Sequence, residues 1–139
     1  MYSRNHALVS AVVAIPVSIG APAGHGLGLW LYMVAVGVGI DADHFFVARF
    51  NRGDWKNVRR CVQNPSLLLR GQTSIFDRGD LWRDQRLLSH LLISGGLVVG
   101  VWPVHSYWAF GTAVTMYTHL IADLYSDMQT RDEYMTEKP

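Results

Sequence analysis

Four of the six histidines fall, with three aspartates, into four short stretches of this chain. His6 stands near the start. Asp41, Asp43 and His44 lie within "VGVGIDADHFFVARF", His90 ends "RLLSH", and His119 and Asp123 bound "HLIAD". On a helix, His119 and Asp123 (i, i+4) share a face, as do Asp41 and His44 (i, i+3). Asp43 points elsewhere unless the helix end frays there. Imidazole with carboxylate is a donor set for a divalent cation, zinc first and manganese or iron next. His6, Asp41, His44, His90, His119 and Asp123 are the candidate ligands. Asp43 flanks that face and is the candidate general base, or a carboxylate that steadies a ligand. Arg86, one helical turn before His90, is the candidate for stabilising developing negative charge.

The elements that position these residues are legible from charge. Residues 7–40 and 87–122 contain no Asp, Glu, Lys or Arg, although the 139-residue chain carries a formal net charge of only +1. A soluble domain scatters charge along its helices. An uncharged block of this length is too long for one membrane span of about 20 residues and suits a hairpin of two. The expectation is a single all-α domain over residues 1–139, a polytopic membrane protein with spans at about 5–20, 27–46, 86–102 and 106–124. Gly and Pro mark the turns "GAPAGHGLG" and "PVHS". Trp30, Tyr32, Trp102, Tyr107 and Trp108 belong to the interface at those turns, and Phe45, Phe46, Phe50, Trp55, Trp82 and Tyr125 to the opposite one. The segment of about 50–85 is basic and the short turns hold no Lys or Arg, which places that loop and both termini in the cytoplasm. All seven candidate His and Asp residues then lie within one or two turns of a single plane, at the cytoplasmic mouth of the bundle.

Within the loop, Asp54 is placed to cap a helix "WKNVRRC", Asn64-Pro65 to start a turn, and "SLLLRG" to form one turn closed by Gly71. Asp80 is placed to cap the lead-in to the third span. The loop's basic residues serve topology and headgroup attraction. Arg49, Arg52, Arg59, Arg60 and Arg86 are also the candidates to hold a phosphate beside the metal. The glycines of "VGVG" and "ISGG" suit close helix packing rather than a phosphate cradle. Cys61, the lone cysteine, excludes a disulfide framework or a Cys-based metal site. The first apolar run with Ala21-Pro22-Ala23 imitates a secretory leader, but three further apolar stretches follow and cleavage is not expected.

His6, "DADH" at 41–44, "RLLSH" at 86–90 and "HLIAD" at 119–123, in this order and topology, resemble the YdjM-like inner-membrane metal-dependent hydrolases. The chain departs from that pattern at Ile40, where the family has proline, and at Gln85, where it has a further histidine. The resemblance implies a multi-pass inner-membrane protein hydrolysing an ester with a metal ion. The expected substrate is a phosphoester or related ester of a lipid or membrane-associated molecule. The alternative is a non-enzymatic membrane subunit or scaffold with a structural metal or polar site. Membrane lipid is the expected partner, together with copies of this chain or other members of a membrane complex. No nucleic-acid partner is expected.

Overall fold

The computed structural model describes residues 3–68 and 72–131. Among these residues there are six α-helices: α1 (Ser3–Ile19), α2 (Gly26–Gly39), α3 (Asp43–Arg52), α4 (Lys56–Gln63), α5 (Arg83–Val101) and α6 (Ser106–Gln129). No strand occurs among the described residues. Gly71, expected to close the "SLLLRG" turn, lies outside them.

Local chemistry explains most boundaries. Gly24 turns the chain between α1 and α2 with φ +83°, a conformation that costs glycine no Cβ clash. Between α2 and α3 the helix does not stop but tightens into a 3-10 turn, Ile40–Ala42. Gly53, at φ 84°, ends α3 and donates its N–H to the Arg49 carbonyl. Trp55 is the N-cap of α4 and makes no side-chain bond there, but Asp54, one position before it, serves the helix start as the sequence suggests, its Oδ1 accepting the Lys56 N–H at 2.8 Å.

Asp80 does something else. No side chain caps α5. The fully buried Asp80 carboxylate instead accepts from Arg52 Nη1 (2.7 Å), Asn57 Nδ2 (3.0 Å) and the Asp77 N–H (2.8 Å). Burial alone would raise this carboxyl's pKa. Arg52, the Asp77 amide and Asn57 outweigh it and hold the pKa below the ordinary value. One carboxylate thus ties the end of α3, the start of α4 and the Asp77 turn together.

The bundle is built with its polar groups inside. Buried Ser10, Ser94, Thr112 and Thr115 line the helix contacts, while Leu8, Val12, Leu31, Leu91, Leu92 and Ile121 are exposed. An apolar core of Ala14, Val17, Leu29 and Met33 lies toward the short turns. There Tyr107 donates to the Val17 carbonyl (2.8 Å), Trp30 donates to the Ala11 carbonyl (3.0 Å), and the Tyr32 and Thr112 hydroxyls share a bond (2.8 Å). These aromatics therefore tie helices together as well as marking one end of the bundle.

At Gly37, α2 packs closely on both α1 and α6. A Cβ there would overlap the Ser10 side chain and lie 3.0 Å from Thr115 Cγ2. The packing role expected of "VGVG" holds at this glycine. It does not hold for "ISGG", because a Cβ on Gly95 or Gly96 would meet nothing within 4 Å. By length and composition, one continuous helix among the described residues, Gly26–Arg52, is apolar and long enough to cross a membrane. The first helix has 17 residues, and α5 opens on Arg83, Asp84 and Arg86.

Candidate metal centre

The 3-10 turn decides how the second stretch is used. At three residues per turn, positions i and i+3 eclipse, so Asp41 and His44 stand one above the other and Asp43 is offset to their side. The offset carries Asp43 onto α5. Its Oδ2 accepts from Ser89 Oγ at 2.6 Å and lies 2.7 Å from His90 Nδ1. The helix tightens where fraying was the expected way to bring Asp43 in.

All six candidate ligands converge. His6 Nε2 lies 3.3 Å from Asp123 Oδ1, and His119 Nε2 lies 3.5 Å from both Asp123 Oδ2 and Asp41 Oδ1. His90 Nε2 is 3.3 Å from Asp41 Oδ1 and 3.5 Å from Asp123 Oδ2. His44 Nε2 stands farther out, 3.9 Å from Asp41 Oδ1. The rings pack as a block. His6 stacks on His119 with centroids 3.8 Å apart, and His44 stacks on His90 at 4.9 Å. The donors form two sets, His6–Asp41–His119–Asp123 and Asp41–His44–His90, each with its ligand atoms within 4.8 Å of one another. Asp41 belongs to both.

Two ring orientations are fixed from behind. The far nitrogen of His90 meets Asp43, and that of His119 meets the Gly37 carbonyl at 2.8 Å. An imidazole held by a carboxylate or carbonyl through one nitrogen presents the other to a metal.

The presented atoms carry no hydrogen bond. The Nε2 atoms of His6, His44, His90 and His119 and Asp41 Oδ1 are all buried without one among the described residues. His6, His90 and His119 are at most 1% exposed. The nitrogens face the Asp41 and Asp123 oxygens at 3.3–3.9 Å instead, a spacing that brings donors of one ligand set together without closing hydrogen bonds between them. A divalent cation would satisfy them together, so the residues fit the ion that their types suggest. Asp41 and His44, each 15% exposed, form the accessible side.

Arg86 reaches the rim. Its Nη2 bonds Asp127 Oδ2 at 2.7 Å, and its Nε lies 3.9 Å from Asp123 Oδ2. Three of the other four basic candidates are engaged elsewhere, and Arg59 is exposed on α4. Arg52 serves Asp80, Arg60 bonds Asp77 and the Ser74 and Ile75 carbonyls, and Arg49 lies 5.8 Å over the Trp55 ring. Gln85, where the resembling family has a histidine, bonds Asn51 at 2.6 Å and faces the loop.

Sequence reasoning missed three groups. Asp127 continues the i, i+4 series of His119 and Asp123, so that spacing was readable. Ser89 stands beside His90 and was readable only once Asp43 was placed. The Gly37 carbonyl leaves no side-chain signal at all. No family model, curated protein or solved structure matches the chain.

Proposed function

We propose that this chain is a four-span membrane protein whose cytoplasmic end hydrolyses a phosphoester or related ester of a lipid or membrane-associated substrate, using a divalent cation, with zinc as the first choice. One observation carries the reading. Four histidine Nε2 atoms and Asp41 Oδ1 converge, buried and without hydrogen bonds, at the end of the bundle where the basic loop begins. The inverted distribution of polar and apolar side chains supports the membrane setting, since exposed apolar surface on this scale needs a covering medium.

His6, Asp41, His44, His90, His119 and Asp123 would hold the cation, which supplies Lewis-acid polarisation of the ester oxygen and makes a water molecule more acidic. Asp43 holds His90 through Oδ2, while its Oδ1 has no hydrogen bond. That Oδ1 is the acceptor for the proton lost by the attacking water. The water oxygen bonds to the ester centre, the ester bond breaks, and the proton passes on to the leaving oxygen. Arg86 stabilises the charge that develops at the rim.

A second reading has one observation in its favour. His6, His90, His119 and Asp123 are almost wholly buried, as in a closed structural site that holds a membrane subunit together. Metal analysis of the purified protein, with a screen of phospholipid and lipid-phosphate hydrolysis, separates the two. Metal-loaded protein that turns over a lipid phosphate is the expected result. Metal-loaded protein inert across the screen moves the assignment to the structural role, and protein that takes up no divalent cation overturns both metal readings.

A further inference from the structure

An apolar groove runs along the outside of the bundle from the metal centre toward the short-turn end. It lies between α2 with its 3-10 extension and α5, has a volume of about 430 Å³, and is walled by residues such as Val36, Gly39, Ile40, Phe46, Ile93 and Leu97. Every wall residue is apolar except Asp43, which is set into the wall between Ala42 and Phe46 and touches His90. Gly39 helps leave it open, because a Cβ there would meet nothing within 4 Å. From Phe46 back to Ala35 the groove spans eleven residues of the chain, about 17 Å at 1.5 Å per residue.

Asp43 belongs to both places. It is 4% exposed, Oδ2 grips His90, and Oδ1 is buried with no hydrogen bond. A groove open along its side, with Asp43 in its wall between the groove and His90 and the other Asp43 oxygen 3.8 Å from His44 Nε2, suits a molecule with one polar end and one hydrocarbon chain. Its volume is within the range of about 300–1,000 Å³ usual for small-molecule sites.

We propose that this groove is the subsite for one hydrocarbon chain of a lipid substrate, which enters sideways from the bilayer with its ester seated at Asp43 and the histidine layer. The inference rests on the hydrolase reading for the ester's fate but not for the chain's position. The carboxylate and cation layer selects the head, and the α2–α5 groove selects the tail. A bulk lipid differs in having no anchored head, so its chain would sample all exposed apolar faces alike.

The experiment uses the full chain in phosphatidylcholine vesicles with zinc. The probe is a phosphatidic acid bearing a diazirine in its acyl chain, and cross-linked residues are mapped by mass spectrometry. Labelling of Val36, Ile93 and Leu97 is expected to exceed that of the outward Leu91, Leu92 and Leu8 by about tenfold. A diazirine fatty alcohol lacking the phosphate should label these positions evenly. Gly39→Leu, whose Cβ meets nothing within 4 Å and whose branched end occupies the groove, should bring groove labelling down to the level of Leu91 while zinc content stays at the wild-type value. Even labelling by the phosphatidic acid, or groove labelling unchanged in Gly39→Leu, overturns the subsite. Groove labelling with no hydrolysis of any lipid ester keeps the subsite and overturns the hydrolase reading. Hydrolysis with even labelling does the reverse.

Discussion

His119 sets its Nδ1 2.8 Å from the carbonyl oxygen of Gly37. A carbonyl only accepts, so Nδ1 carries the proton and Nε2 is turned inward to Asp41 and Asp123. The same glycine brings α1 and α2 together at Ser10. One residue therefore sets both a helix contact and a ring orientation, coupling packing to the site.

That coupling predicts the effect of Gly37→Ala. The new Cβ overlaps the Ser10 side chain, so stability should fall by about 1–3 kcal/mol, with zinc affinity falling too as the carbonyl moves from His119. Ser10→Gly in the same chain should restore much of both. Thermal unfolding with zinc titration checks this, and a double variant no better than the single would refute it.

His119→Ala removes a ligand. Zinc at a hundredfold excess over its dissociation constant should stabilise the wild type by about 2.7 kcal/mol. The variant should show little zinc-dependent rise in melting temperature and a much reduced metal content by elemental analysis. An unchanged rise would exclude His119 from the site.

Asp43 separates its two jobs by substitution. Asp43→Asn keeps an acceptor for His90 Nδ1 but removes the proton acceptor, so metal content should stay near wild type while hydrolysis is lost. Asp43→Ala also removes the support of His90, for which a loss of about 10–100-fold in metal affinity is expected. Equal metal loss in both variants would argue that the negative charge, and not the hydrogen bond, holds the ring.

The loop should respond to acid and to loss of Asp80. Lys56 first, then Arg60, hold the Asp77 carboxyl down from 3.8 to about 2. A depressed carboxylate stabilises the folded loop above its unfolded pKa. Its contribution is present above pH 3.8 and is lost as pH falls through about 2. Trp55 fluorescence should report that change in the wild type and show less of it in Asp77→Asn. Asp80→Ala leaves Arg52 and Asn57 without their acceptor and should expose the loop to trypsin at neutral pH.

Topology has a direct measurement. Cys61 is buried, and a Cys61→Ala background leaves single cysteines at Ser66 or Ser106 as reporters. In sealed inside-out vesicles an impermeant thiol reagent should label the Ser66→Cys variant and spare the Ser106→Cys variant. The reverse pattern would place the basic loop outside and the histidine layer with it.

The residue sequence alone determined the class of fold and the membership of the layer. Long apolar blocks broken only at Gly and Pro turns read as helices, and i, i+3 and i, i+4 spacings put paired donors on one face whatever the neighbouring helix. It also determined the Asp54 cap, which is local. Tertiary structure decided what depends on another segment's arrival. The direction of Asp43 follows from a 3-10 turn that moves it against α5, and the orientation of His119 follows from a backbone carbonyl on α2. Asp80 reads as a cap because its neighbours in sequence are a helix start, yet Arg52 and Asn57, 28 and 23 residues away, make it the centre of the loop. Glycines look alike in a string. Only packing separates Gly37, pressed against Ser10, from Gly39, left facing the groove, because a missing Cβ has no effect of its own until another helix either takes the space or leaves it open.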